Sequence, residues 1–309
     1  MISRADRSSR AVEAAAAAAR ELGLSVTEPT VLYDVFSVVV HLKPSPVVAR
    51  VPVVLPDALL DLEVAGRRQQ RELDVAQWLS ELDKPVARPS PLVPREPVQR
   101  DGLSFTFWEL VEQDTSTEPD YSQGTARAAE LHAVLADYPA ELPWFAPVTS
   151  VVPQGLEQLK NDTPMLTPDD VGRVRSEWDA VAPLLMTREG WEQAFPGSVV
   201  QPIHGDAPSY NIIATPDGVL WSDFEDVNLG PIEWDLAGFG PEHARIYNEA
   251  AAALGRPVLD ERAQVAMDLA RAFQLIVCLP LVPQLPELAD GLKPFVENWR
   301  TMPFAGGLV

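Results

Sequence analysis

The sequence predicts an α+β protein of two lobes, with a β-rich first third and a mostly helical remainder. Three observations carry that prediction. Residues 31–55 are rich in β-branched and aromatic residues set around turn chemistry, and helical patterns dominate after residue 124. Between them lies a polar, turn-rich stretch at 113–124. The expected lobes are therefore residues 1–112 and 113–309.

Taken in order, Ser9 as a cap and the alanine-rich run ending at Gly23 predict a helix over 9–23. Val31-Leu32-Tyr33, residues 36–42 and residues 47–51 predict strands, with Lys43-Pro44-Ser45-Pro46 as turn chemistry. From 57 to 82 the pattern turns helical: Leu73, Ala76 and Leu79 form an apolar stripe with Glu72 on its flank. Residues 84–97 are proline-rich and extended, and 105–111 read as a buried strand. Further helices are expected over 124–137, at least once within 168–195, and two or three times within 241–300.

Composition narrows the class. A chain of 309 residues, 46% hydrophobic, has ample length for a sizeable core and is not wholly disordered. The 30 prolines are about twice the usual share, so long uninterrupted elements should be few. The single cysteine, Cys278, lies in the apolar run Leu275-Ile276-Val277-Cys278-Leu279 and reads as a buried small hydrophobe. It cannot form an intrachain disulfide, which fits a reducing compartment. No segment approaches the ~20 apolar residues of a membrane span. Asp6 and Glu13 interrupt the arginine- and alanine-rich N-terminus, unlike a targeting peptide. A soluble, cytoplasmic protein with no membrane partner is expected.

The net charge of −21 argues against a nucleic-acid partner. Its distribution is uneven: residues 1–112 carry −3 and residues 113–309 carry −18. A negative field over the second part would favour a neutral or cationic ligand over an anionic one.

The chemistry concentrates between 200 and 239. His204-Gly205-Asp206 is followed by Asn211, and Pro216-Asp217-Gly218 marks a hairpin turn between two apolar runs that ends at Asp223-Phe224. Folding about that turn sets Ala214 opposite Val219 and carries Asn211 towards Ser222 and Asp223. Two hard oxygen donors and a further carboxylate, Asp206, are the components of Mg²⁺-assisted phosphoryl transfer. An Asp followed five residues later by Asn, then an Asp-Phe pair, is the protein-kinase arrangement.

Here the chain resembles the aminoglycoside phosphotransferase and choline kinase-like family of small-molecule kinases. His204-Gly205-Asp206-Ala207-Pro208-Ser209-Tyr210-Asn211 is similar to its catalytic loop, with Gly where protein kinases usually have Arg. Ser222-Asp223-Phe224-Glu225 resembles its metal-binding segment, and Gly230-Pro231-Ile232-Glu233-Trp234-Asp235-Leu236-Ala237 the stretch whose Asp is structural. The resemblance implies a protein-kinase-like fold, ATP or GTP as phosphoryl donor, Mg²⁺, and a small-molecule hydroxyl as acceptor. It implies Asp206 as catalytic base, His204 as the brace of its loop, and Asn211 and Asp223 as metal ligands. It further implies Arg50 on the nucleotide phosphates with Glu72 as its acidic partner, and Trp108-Glu109-Leu110-Val111 as the hinge under the base. Glu225 and Asp226 are expected on the acceptor side or around the metal, and His132 as a packing residue.

Two departures stand out. Residues 34–42, where a phosphate-covering loop would lie, contain no glycine, and Arg50 stands where a lysine would be a point charge. The missing glycines make a non-catalytic kinase-like binding protein the alternative. A metal-dependent hydrolase built on Asp206, Asp223, Glu225 and Asp226 has few histidines to draw on, with four in the chain.

Overall fold

The computed structural model describes residues 3–116 and 120–309, and its order of elements is the expected one, strands first and helices after. The chain forms two compact units, Met1–Glu118 with Ile212–Glu225, and Pro119–Asn211 with Asp226–Val309.

In the first unit, helix α1 (Arg4–Glu21) begins five residues before the expected start. Ser3, not Ser9, is the cap, its hydroxyl accepting from the Asp6 amide at 3.2 Å. Strands β1 (Val26–Asp34), β2 (Ser37–Pro44) and β3 (Val47–Pro52) form an antiparallel meander, in which the β2–β3 hairpin is the one that the turn chemistry at 43–46 predicts. Helix α2 (Leu62–Glu81) is capped by Asp61, and only a short 3-10 turn, Asp57–Leu59, occupies the start expected at 57. Strands β4 (Val98–Arg100) and β5 (Leu103–Glu109) complete a sheet of order β1-β2-β3-β5-β4. Ala11, Ala14, Ala15, Ala18 and Ala19 of α1 pack with Val38, Val40, Leu42, Val47, Ala49 and Val51. Successive strand residues alternate between faces, so Arg50, between Ala49 and Val51, points to the face away from that core.

The second unit opens with α3 (Tyr121–Leu135), α4 (Ala146–Thr149), α5 (Val152–Gln158), α6 (Pro168–Leu185) and α7 (Arg188–Ala194). Strand β6 (Val200–Ile203) then leads into the loop that carries His204 and Asp206. The next two strands, β7 (Ile212–Thr215) and β8 (Gly218–Trp221), pair with Ala214 opposite Val219, as the Pro-Asp-Gly turn predicts. This hairpin belongs to the first unit, not to the second as the expected boundary had it. Main-chain bonds explain why: Ala87 N donates to Trp221 O at 2.8 Å, Trp221 N to Pro85 O at 2.8 Å, and Asp114 N to Ala214 O at 2.9 Å.

Strand β9 (Asn228–Pro231) pairs antiparallel with β6, followed by α8 (Pro241–Ala253), α9 (Glu261–Val277) and α10 (Leu288–Thr301). One correction concerns hydrophobicity. The stretch Glu261–Leu281, centred on α9, is long and apolar enough by length and composition to cross a membrane, with mean hydropathy 1.3. It is largely buried in the fold, where Ala266, Met267, Ala270 and Phe273 form core, so it is a core helix here.

Candidate active site

The loop between β6 and β7 is shaped by its second residue. Gly205 has φ +89°, and a Cβ there would clash with the carbonyl oxygen of Asp226. Only glycine accommodates both the conformation and the close approach. That explains why this loop lacks the bulkier residue of protein kinases. His204 is fully buried, and its Nδ1 accepts from the Asp206 backbone N–H at 3.2 Å. Asp206 itself is 44% exposed at its side chain. The Asn211 amide donates through Nδ2 to the Asp206 carbonyl oxygen and lies 3.4 Å from its Oδ2.

Asp235 anchors this loop. Its carboxylate is wholly buried and accepts from His204 N at 2.9 Å, Gly205 N at 2.8 Å and His132 Nε2 at 2.8 Å. Burial alone would raise its pKa, but the His132 hydrogen bond, His132 and His204 outweigh burial and hold it below the usual carboxylate range. His132 packs between Asp235 and the Tyr247 hydroxyl, which donates to its Nδ1 at 2.8 Å. Trp234 donates to the Gly205 carbonyl at 2.6 Å. Sequence reasoning missed one residue here, Arg271 of α9, whose Nη1 lies 3.3 Å from Asp206 Oδ1. Cys278 is half-buried at the end of the same helix, and burial, with Asp206 nearby, pushes its thiol up to about 12. It is not a nucleophile at neutral pH.

The first unit gathers a second group. Arg50 donates from Nη2 to Asp223 Oδ1 at 2.7 Å, and from Nη1 to Glu225 Oε2 at 2.9 Å and Glu72 Oε2 at 3.4 Å. Arg68, one helical turn before Glu72, reaches Glu225 Oε1 at 3.1 Å. The expected Arg50–Glu72 pair is present, and it is the longest of the three contacts. Glu225, expected on the acceptor side or around the metal, ties the two arginines together, and Arg50 links it to Asp223. A planar fork makes this possible where a lysine point charge would not. Asp223 sits in the left-handed region at φ +64°, a conformation disfavoured for a side-chain-bearing residue and common at functional sites.

Three carboxylates share two guanidinium groups, so one is undercompensated. Glu72 is the most buried of the three and the farthest from Arg50. Burial pushes its carboxyl up to about 8 despite Arg50, whereas Arg50 and Arg68 overcome burial and hold Glu225 at about 2. Between about 4.5 and about 8 the folded chain keeps a proton on Glu72 that the unfolded chain has released, so this group lowers stability as pH rises. Glu225 acts in the opposite sense, and its contribution is lost as pH falls from about 4.5 towards about 2. In Glu72→Gln, the wild-type decline in Tm between pH 5.5 and 8 should shrink by on the order of 2–4 °C. Parallel Tm curves for the two proteins would sink this assignment.

The hinge residues are placed as follows. Trp108 is buried in β5, its indole N–H donating to Thr106 Oγ1 at 2.8 Å, so its side chain is core. Glu109 N donates to Arg88 O at 2.9 Å and Leu110 N to Pro46 O at 3.1 Å, with Val111 next along the chain. Two of the amides that a hinge could offer a base are thus engaged by the protein.

Asn211 and Asp223, the expected metal ligands, fall in different units and each is described by its own neighbours. Among the described residues no group of three or more His, Cys, Asp or Glu could hold a metal. Taken singly, Asp223 carries a carboxylate, and Asn211, its NH₂ turned to Asp206, carries an amide Oδ1, each a hard oxygen donor.

Comparison of the sequence with curated proteins returns no match. Among solved structures, the choline kinase LicA from Streptococcus pneumoniae aligns at 12% identity, TM-score 0.58, over 91% of this chain and 98% of that one. A microcompartment-associated aminopropanol kinase aligns at 15% identity, TM-score 0.60, over 91% and 93%. The aminoglycoside phosphotransferase APH(2")-IIia, in a complex with GDP and kanamycin, aligns at 14% identity, TM-score 0.57, over 89% and 95%. At identities this low, it is the TM-scores over about nine-tenths of the chain that show a shared fold, the protein-kinase-like one. The profile of the phosphotransferase enzyme family (APH) matches residues 53–273, a span containing both groups described above apart from Arg50. The chain belongs to the phosphotransferase enzyme family.

Proposed function

We propose that this protein transfers the γ-phosphoryl group of ATP or GTP to a hydroxyl of a small, neutral or cationic molecule, with Asp206 as base. The observation that carries the proposal is the state of Asp206. Its carboxylate is exposed to an incoming hydroxyl, while the backbone beneath it is fixed by His204, Asn211 and, through Gly205, by Asp235. A carboxylate so held can orient the acceptor hydroxyl and accept its proton at Oδ1 or Oδ2. His204 acts through the Asp206 amide and touches no substrate. Arg50 is the cation suited to the nucleotide phosphates, with Glu72 and Glu225 fixing its fork; Leu110 and Val111 would lie under the base. When bound, Mg²⁺ would neutralise phosphate charge as it transfers, held by Asn211 and Asp223.

The negative field argued from the charge distribution is weaker locally than the −18 implies. Asp206, Asp223 and Glu225 are each bonded to an arginine. A cationic acceptor is therefore not specially attracted by these three residues, and a neutral one is equally suited.

If Asn211 and Asp223 hold Mg²⁺, Asn211→Ala and Asp223→Asn should each raise the Mg²⁺ concentration for half-maximal rate and lower kcat. Asp223→Asn also relieves Arg50 of a charged partner, so its nucleotide affinity should be followed in parallel. Unchanged Mg²⁺ dependence in both variants would remove the metal assignment. The proposal as a whole is tested by coupled nucleotide consumption with Mg²⁺ and ATP or GTP. The acceptor panel comprises amino alcohols, aminoglycosides, macrolides and neutral sugars. The structural neighbours are a choline kinase, an aminopropanol kinase and an aminoglycoside phosphotransferase bound to kanamycin, which puts such compounds first. A second reading, a non-catalytic nucleotide-binding protein, draws on the glycine-free stretch 34–42 and on Arg50 already holding three carboxylates. Nucleotide-dependent thermal stabilisation with no acceptor-dependent turnover would favour it.

A further inference from the structure

We infer that Arg271 of α9 is the positioning residue for Asp206, holding its carboxylate through Oδ1; this rests on the reading of Asp206 as the base. The argument begins with what it takes to bury a guanidinium. Arg271 is 8% exposed at its side chain, and a buried arginine is tolerated only when its charge is compensated and its donors are satisfied. Its Nη1 donates to Gln274 Oε1 at 2.6 Å and to Asp206 Oδ1 at 3.3 Å, and its Nη2 approaches the Trp234 carbonyl at 3.4 Å. Its guanidinium carbon lies 3.9 Å from the Trp234 ring centroid. Asp268, one turn earlier on α9, is occupied by the Gly238 amide and Gln264. Asp206 is thus the carboxylate to which Arg271 bonds.

The same contacts bear on the loop. Trp234, under the guanidinium, also holds Gly205 O, so arginine, indole and loop form one assembly. Residues 271 and 274 of α9 and Cys278 at its C-cap follow one stripe, at i, i+3 and i+7, and Arg271 on that stripe bonds the loop. The raised thiol of Cys278, to which Asp206 contributes, agrees with that orientation. Asp206 stands on a loop, half exposed, and its backbone contacts do not fix its χ angles. Arg271 on Oδ1 and the Asn211 amide near Oδ2 hold the carboxylate from two directions. A misplacement of ~1 Å at such a group can reduce rate by ~10²-fold. Lysine would keep the charge but lose the planar stacking on Trp234.

The test uses the full chain as wild type, Arg271→Gln, Arg271→Lys, Asp206→Asn and the double Arg271→Gln/Asp206→Asn. Turnover is read with the best acceptor from the panel, and nucleotide affinity by titration of Mg²⁺ and ADP. Arg271→Gln should lower kcat by ~10²-fold while acceptor KM and ADP affinity stay within about three-fold. Arg271→Lys should recover about ten-fold of the loss. In thermal unfolding, the double variant should lose less than the sum of the two single losses, since Asp206→Asn removes the negative charge and Arg271→Gln the positive charge of the same ion pair, even where an oxygen still faces Arg271. A kcat for Arg271→Gln near wild type, or a loss confined to KM, would overturn the proposal. So would strictly additive Tm losses. Wild type without turnover on any acceptor would instead refute the phosphotransfer reading, and the thermal cycle would still decide whether Arg271 holds Asp206.

Discussion

Asp206→Asn should abolish acceptor-dependent phosphoryl transfer while leaving nucleotide binding intact. The base acts on the acceptor hydroxyl, and its loss typically lowers rate by ~10²–10⁴-fold. Asparagine is the better probe than alanine, because it keeps an oxygen facing the buried Arg271. Alanine would strand that guanidinium and mix a stability defect with the catalytic one. Rates within a few-fold of wild type, measured at saturating Mg²⁺ and nucleotide, would end the claim that Asp206 is the base.

The second large effect is on folding. Asp235→Ala should destabilise the second unit by on the order of 3–5 kcal/mol, since three buried donors lose their acceptor together. Asp235→Asn retains one oxygen and should fall between alanine and wild type. Urea unfolding followed by tryptophan fluorescence, to which five of the eight indoles contribute from the second unit, and by circular dichroism would read this. A wild-type midpoint for Asp235→Ala would show that the loop does not depend on that carboxylate.

What could be read from the sequence was local. The Pro-Asp-Gly turn dictates its own register, and Ala214 does pair with Val219. The Asp206–Asn211 spacing places two groups on one short loop, where they meet. The strands at 37–44 and 47–52 announce themselves through β-branched residues on either side of a proline turn. What could not be read was pairing at a distance. Arg271 is 65 residues from Asp206, and Arg50 is 175 from Glu225. Nothing in the run around Arg271 distinguishes a strut for a catalytic loop from a residue on a polar helix face. The three-residue strand β4 and the proline-bearing α4 and α5 are too short for periodicity to register. The start of α1 differs from the expected one because Ser3, Ser8 and Ser9 all precede the alanine run, and side-chain bonding rather than composition chooses Ser3.

The path of the chain limits how this protein can be taken apart. It leaves the second unit after Asn211, completes the first with fourteen residues, and returns at Asp226. A fragment truncated at the end of its first long stretch would lack the hairpin that bonds Pro85 and Ala87. It would also leave Arg50 with Glu72 alone of its three carboxylates. Neither unit is therefore a portable module: cloning it, swapping it between relatives or acquiring it by recombination requires two separate pieces of gene to travel together.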